Sequence, residues 1–164
     1  MDIDGCLANH DRRMPFLQKC PIDWDGFYRD MENDPVNPAC LALTQSLMSS
    51  GYAPLLVTGR IDTEKITTLR WLIKSFPNNG IAWVAYSHEW LYMRKAGDKS
   101  SPADFKKKIY EEQIKDKFDV VLAVDDLLTV CRMWSSIGVP CLKYGTTDEV
   151  IEGSICLDDS QGSK

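Results

Sequence analysis

The sequence predicts an α/β fold: a Rossmann-like parallel sheet with helices on both faces and at most a small cap insert. Three observations carry this expectation. Short apolar runs of strand length alternate along the chain with longer stretches of helical spacing. Several runs stop at acids, a hydroxyl or glycine, which suits the carboxyl edge of an open parallel sheet. The 164 residues fit one domain, since domains usually run ~100–200 residues.

The elements follow in order. Met1-Asp-Ile-Asp-Gly-Cys-Leu-Ala8 reads as the end of a strand running into a turn at Gly5. Only Met1 precedes Asp2, whereas a buried parallel strand normally shows four or more apolar residues. Either the strand is completed otherwise, or the natural start lies upstream. Residues 9–36, with Pro15, Pro21, Pro35 and Gly26, predict an insert of loops and short helical pieces. Its apolar residues Phe16, Leu17, Ile22, Trp24, Phe27 and Tyr28 suit a small lid.

Asn37-Pro38 predicts a helix start, with Asn37 as N-cap and Cys40, Leu43, Leu47 and Met48 as the apolar stripe. Tyr52 to Val57 is expected to be a buried strand ending at Thr58-Gly59-Arg60. Asp62 or Thr63 then caps a helix striped by Ile66, Leu69 and Ile73. Ile81 to Val84 and Trp90 to Met93 read as strands, and Pro102 opens a helix to about Lys115. Phe118 to Val124 is an apolar strand that ends at Asp125-Asp126. A helix over Leu127 to Ile137, stopped by Gly138, leads to a last strand at Val139 to Lys143. The domain is expected over 1–157, with 158–164 a frayed polar tail.

Composition narrows the classes. Hydrophobic residues make up 44% and charged residues 26%, ordinary for a globular protein. The net charge of −5 argues against a basic nucleic-acid coat, though not against a local basic patch. Six cysteines lie scattered with no C-x-x-C and only two histidines, so zinc spacing is absent. Reduced thiols in a cytoplasm are the simple reading. No apolar run approaches the ~18 residues of a membrane span.

Asp2/Asp4, Thr58, the Lys106 region and Asp125/Asp126 each follow an apolar run, so the fold would gather them in one crevice. The chemistry they suit is phosphoryl transfer to a carboxylate. A phosphomonoester dianion repels an anionic nucleophile, so a cation is needed to neutralise charge. Magnesium, a hard ion, prefers the oxygens those acids offer. A hydroxyl and a lysine grip the remaining phosphoryl oxygens, and a second carboxylate exchanges protons with the leaving oxygen and water.

This ordered series resembles the haloacid dehalogenase superfamily: Asp2-Ile-Asp4-Gly matches its first motif, Thr58-Gly-Arg its second, Lys106 its third and Asp125-Asp126 its fourth. A closer likeness is to the 3′-phosphatase domains of phage polynucleotide kinase-phosphatases and their stand-alone relatives. Leu56-Val-Thr-Gly-Arg60, Gly97-Asp98 with Lys106 downstream, and Leu122 to Val139 carry it. The resemblance implies Asp2 as nucleophile and Asp4 as general acid–base. It implies Thr58, Gly59, Arg60, Lys106 and Arg13 as phosphate- or substrate-binding residues, and Asp2, Asp4, Asp125 and Asp126 as the Mg2+ site. Between Gly97 and Lys106 the relatives carry an arginine and a further aspartate, where this chain has Ser100 and Pro102. No P-loop pattern occurs in the 164 residues. The implied substrate is a 3′-phosphorylated DNA or RNA end, in the cytoplasm (the host's if phage-encoded).

Plainer readings stand beside these. Asp-Gly pairs make ordinary turns, Thr58 and Asp126 suit helix caps, and Lys106-Lys107-Lys108 suits a solvated helix face. Arg13, Arg60, His10 and His88 read equally as surface residues, and the tryptophans as packing. Two other functions remain: a small-nucleotide phosphatase and a non-enzymatic phosphoacceptor like a response-regulator receiver. A receiver places its acidic pair first in the chain and lacks a second acid beside the phosphorylated aspartate. Here the acidic pair closes the series and Asp4 supplies that acid, which favours hydrolysis.

Overall fold

In a computed structural model of the chain, residues 1–76 and 90–145 are described. Met1 and Asp2 join two parallel strand pairs. On one side lie β1 (Leu56–Ile61) and β2 (Leu91–Arg94), with Leu56 opposite Leu91. On the other lie β3 (Ala123–Asp125) and β4 (Cys141–Lys143), with Ala123 opposite Cys141. Met1 N donates to Leu55 O at 2.9 Å and Met1 O accepts from Val57 N at 3.1 Å, the pattern of a parallel pair. Asp2 N donates to Val124 O at 3.0 Å on the opposite edge. The spatial order is therefore β2, β1, the amino-terminal segment, β3, β4.

Adjacent strand residues point to opposite faces, and the core divides accordingly. Leu56 and Val124 pack with Ile3, Leu7, Cys40, Trp71 and Leu72, under α3 (Pro38–Ser49) and α4 (Lys65–Ser75). Val57 packs with Phe105 and Ile109 of α5 (Pro102–Ile109). Ala123 packs with Val130, Met133 and Trp134 of α6 (Leu128–Ser136). Helices thus cover both faces, and the expected Rossmann-like layering is present. Pro102 sits at the start of α5, Ser101 Oγ accepts from Asp104 N at 3.1 Å, and the helix runs on as a π-turn to Ile114.

Between Ala8 and Val36 the chain makes the expected excursion. It contains α1 (Met14–Leu17), α2 (Trp24–Arg29) and two short 3-10 turns. A bridge between Ala8 and Val36 pins its two ends together, and Asn9 N donates to Pro35 O at 2.8 Å.

Several expectations need correction. The strand expected at Tyr52 to Val57 begins only at Leu56 and does not stop at Thr58-Gly59-Arg60 but runs through it to Ile61. Strands β3 and β4 are shorter than their apolar runs. Tyr52 is 49% exposed and Val121 50% exposed. Apolar composition marks burial, but a strand persists only beside a partner backbone, and Leu55 is the first residue that Met1 meets. On α4 the buried face is Thr68, Trp71 and Leu72, whereas Ile66 and Ile73 are exposed. Asn37 precedes α3 but its side chain donates to Cys6 O at 2.6 Å instead of capping. Neither Asp62 nor Thr63 caps α4, whose preceding residue is Glu64. Cys6, Cys40, Cys131 and Cys141 are free thiols, but Cys20 is disulfide-bonded, against the expectation of reduced cysteines throughout. The strand expected at Ile81 to Val84, His88 and the polar tail lie outside the described residues. Among the described residues, no helix is long and apolar enough to cross a membrane.

Candidate active site

Four separate segments deliver the acids, the hydroxyl and the lysine to the carboxyl edge of the sheet. Asp2 ends the amino-terminal segment between β1 and β3. Thr58 lies on β1, one residue past Val57, whose N donates to Met1 O. Asp125 closes β3, and Lys106 reaches in from α5. All four are buried. Lys106 Nζ lies 3.0 Å from Asp2 Oδ1 and 2.5 Å from Asp125 Oδ2. Lys107 and Lys108 are exposed, so the solvated-face reading fits those two and not Lys106.

Both oxygens of Asp125 are engaged, one by Lys106 and the other by Leu127 N at 3.3 Å. The residue before α6 is Leu127, with no side-chain cap bond, so Asp126 is not the cap that the sequence allows. Asp126 instead turns toward Asp2. Ligand atoms of Asp2, Cys6 and Asp126 lie within 4.8 Å of one another. Gly5 makes this approach possible: its φ is +85°, and a Cβ there would collide with Asp126 Oδ2.

Charge in this cluster is uneven. Asp2, Asp125 and Asp126 face one ammonium. Burial, opposed by Lys106 and reinforced by Asp125 and Asp126, pushes Asp2 up to about 8. Burial and then Asp125 push Asp126 up to about 6. Burial works against the charge on Lys106, yet Asp125 and Asp2 outweigh it and hold the ammonium above the usual lysine range. Crowded, half-neutralised carboxylates are what a divalent cation would relieve. Asp2 and Asp126 offer the hard oxygens that magnesium takes. The Cys6 thiol does not join that set, because the neighbouring Cys40 thiol and burial push it far up. The residues present therefore fit Mg2+.

Asp4 leads a second, electrically balanced group. Arg13 Nη2 lies 2.6 Å and Arg60 Nη2 2.7 Å from Asp4 Oδ1, and Arg60 Nε is 3.0 Å from Oδ2. Burial would raise the Asp4 carboxyl, but Arg60 and then Arg13 outweigh it and hold it below the usual carboxylate range. Arg13 and Arg60 are each 1% exposed, so neither is the surface residue that sequence alone allows. In the structure they grip Asp4 rather than open into the cleft. Thr58 Oγ1 accepts from Arg60 N at 3.2 Å, and Gly59 between them is exposed.

His10 is half-buried, and burial lowers its pKa; its ring stands edge-on to Phe27. Trp24 is 50% exposed and stacks on Tyr28, so it is not simply core. Asp34 was absent from the sequence-derived set. It is fully buried at the side chain, on Arg13 at 2.6 Å, and Trp71 Nε1 donates to its carbonyl at 2.8 Å. No motif spacing marks it; its only sequence cue is a place beside Pro35. Among the other basic residues, Arg12 is tied to Asp30 and Arg94 to Ser100, while Lys95 and Lys99 are exposed. A cavity of about 470 Å³ between residues 115–120 and Ile137–Val139 lies at the opposite, amino end of the strands. It takes no part in this cluster.

Residues 1–148 match the family described as the polynucleotide kinase PNKP phosphatase domain. The fold is similar to a chain in the structure of a Pnkp1/Rnl/Hen1 complex, at 24% identity and a TM-score of 0.66. That likeness covers 89% of this chain and 45% of the other. It is similar also to a chain in the structure of the Pnkp1/Rnl/Hen1 RNA repair complex, at 24% identity and a TM-score of 0.67, covering 89% and 42%. The chain thus spans less than half the length of the solved chains it matches.

Proposed function

The chain belongs to the family of the polynucleotide kinase PNKP phosphatase domain, of the haloacid dehalogenase type, and from that membership we propose that it hydrolyses phosphomonoesters through an aspartyl-phosphate on Asp2. The observation that carries the reading is Lys106 bridging Asp2 and Asp125, with Asp126 turned in beside them.

Asp2 Oδ attacks phosphorus, the ester P–O bond breaks, and the leaving oxygen departs with the proton Asp4 has carried in. Water then attacks the phosphoryl group of the acyl phosphate, gives a proton to Asp4, and releases inorganic phosphate with Asp2 restored. The proton given in the first half is regained in the second, so the net change is ester plus water to alcohol plus phosphate. Arg13 and Arg60 hold the free chain's Asp4 as carboxylate. The first proton therefore enters with the monoanionic ester and passes through Asp4, and the carboxylate then accepts the proton from water. Thr58 and Lys106 serve the phosphoryl oxygens, with the exposed Gly59 amide beside them. Lys106 needs Asp125 to stay in place.

Asp2, Asp126 and the Asp4 carbonyl would hold Mg2+, with Asp125 in an orienting role. The ion's chemistry there is neutralisation of the phosphate charge against the nucleophile. The substrate we favour is a 3′-phosphate at a DNA or RNA end, reached across a small insert instead of a large cap. A small nucleotide is the second reading, favoured by the net charge of −5. Phosphate release from a 3′-phosphorylated oligonucleotide, 3′- and 5′-mononucleotides and sugar phosphates tests both. No release from any of them with magnesium present would end the hydrolase proposal.

A further inference from the structure

The short helix α2 carries an aromatic group that the hydrolytic cluster leaves unused. Trp24 and Tyr28 stand four residues apart and so share a helix face, with Phe27 beside them. The Trp24 and Tyr28 rings stack, with 6.0 Å between centroids and 20° between planes. Phe27 meets both edge-on, at 6.2 Å from Trp24 and 5.5 Å from Tyr28. Phe27 is the packing member of the three: it is buried, and the Arg13 guanidinium lies 4.3 Å from its ring centroid. Trp24 is 50% exposed, with Tyr28 on its inner face and solvent on the outer one.

Three contacts fix this helix against the acid–base site. Asp23 Oδ1 caps it, accepting from Gly26 N at 2.8 Å. A Cβ at Gly26 would strike the Phe16 ring, so glycine lets α2 lie directly on α1. Phe27 O accepts from Arg13 Nη1 at 3.0 Å, and Nη2 of the same arginine lies 2.6 Å from Asp4 Oδ1. One guanidinium thus ties the aromatic face to the carboxylate. Burial and then the Asp4 charge raise the pKa of the Tyr28 phenol, opposed by Arg94 and Arg13. Tyr28 therefore stands within electrostatic reach of Asp4 and of Arg94, the last residue of β2.

The charges around Trp24 offset one another. Asp23 and Asp25 flank it, Lys19 lies 2.7 Å from Asp23, and Arg29 closes the helix. Such a surface suits a neutral planar ring better than a phosphate. In the hydrolytic reading the leaving group is a nucleoside whose O3′ sits at Asp4, so its base lies one sugar away from that carboxylate.

We propose that the outer face of Trp24 is a stacking platform for the nucleobase of the nucleotide that carries the scissile phosphate. This rests on the hydrolytic reading above and names the part of the leaving group that the small insert recognises. Every base has a π-face, so the platform accepts any of them and rejects an end that has none.

The test uses two oligonucleotides with a 3′-phosphate, one ending in an ordinary nucleotide and one in an abasic tetrahydrofuran. With magnesium, the wild-type chain should favour the base-bearing end by roughly five- to hundredfold in kcat/KM, the worth of one stacked base. The difference should fall on KM, because stacking holds the bound nucleoside and leaves the phosphorus untouched. Trp24→Ala should bring the ratio to within about twofold of unity, and Trp24→Phe, which restores an aromatic face, should recover most of it. Binding is read separately in the Asp2→Asn chain. Thymidine 3′-phosphate should quench tryptophan fluorescence there, and adding Trp24→Phe should remove the quench. A wild-type ratio near one, or equal losses on both ends in folded Trp24→Ala, would overturn the platform, while phosphate released from both ends keeps the hydrolytic reading. No phosphate from either end sinks the hydrolytic reading instead. The fluorescence then decides the platform alone, and a quench that persists in Trp24→Phe overturns it.

Discussion

Lys106 Nζ stands 3.0 Å from Asp2 Oδ1, and the same ammonium reaches Asp125 Oδ2 at 2.5 Å. One cation thus links the first segment of the sheet to the end of β3. Lys106→Met should abolish turnover and leave buried carboxylates without their partner, at a cost of about 3 kcal/mol or more. With roughly 2–4 °C per kcal/mol for a chain of this size, a thermal melt should fall by more than about 5 °C. An unchanged melting temperature would mean that the ion pair is idle.

The nucleophile should behave in the opposite way. Asp2→Asn replaces one of three crowded carboxylates with a neutral amide of the same shape. It should keep or raise the melting temperature while removing activity, because an amide is a poor nucleophile. Turnover within tenfold of wild type, about 1.4 kcal/mol in barrier, is incompatible with the mechanism.

Metal removal should separate the two terminal acids. Excess chelator should eliminate phosphate release, and magnesium should restore it. Magnesium at 100 times its Kd should also stabilise the folded chain by about 2.7 kcal/mol. That thermal shift should vanish in Asp126→Asn and survive in Asp125→Asn, because both Asp125 oxygens already serve Lys106 and Leu127 N. The reverse pattern would exchange the roles of the two acids.

Asp4→Asn should cost far more on alkyl than on aryl phosphates, since only poor leaving groups need a proton. It also strands Arg13 and Arg60, so the melt should fall. Equal kinetic losses on the two substrate types would assign Asp4 to binding instead of proton transfer.

How much of this the sequence discloses depends on the kind of signal. Thr58 and Asp125 were legible because each follows an apolar run, and strand ends in a parallel sheet meet at one edge; Asp2 was legible through its Asp-x-Asp-Gly pattern. Lys106 was separable from Lys107 and Lys108 only through its distance from Gly97. Strand lengths were not legible, because Tyr52 and Val121 satisfy an apolar pattern that says nothing about a pairing neighbour. On α4, Ile66, Leu69 and Ile73 form one helical stripe while Thr68, Trp71 and Leu72 form another. Periodicity cannot choose between stripes a residue or two apart; the choice is made by Trp71, whose indole must meet Asp34 and Arg60. The fate of Arg13 and Arg60 was hidden for the same reason, since their common partner Asp34 carries no spacing signal.

The substrate prediction reaches furthest. The chain should prefer a 3′-phosphate on a nucleic-acid end to the same phosphate on a mononucleotide. Its family membership and the small excursion over residues 9–36 support the preference. The basic residues we assign to flanking phosphates are Lys95 and Lys99. Arg13 is buried on Asp4, Arg12 is tied to Asp30 and Arg94 to Ser100, which leaves Lys95 and Lys99 exposed. Two such contacts imply a shallow salt dependence, about −0.7 in log affinity per log salt for each phosphate neutralised on a single strand. Specificity constants for a short 3′-phosphorylated oligonucleotide and a 3′-mononucleotide, measured at low and moderate salt, should differ by tenfold or more at low salt and converge as salt rises. Lys95→Ala with Lys99→Ala should erase most of the difference without lowering turnover of the mononucleotide. If the mononucleotide is used equally well at every salt concentration, the nucleic-acid end plays no part in recognition, and the chain is a nucleotide phosphatase.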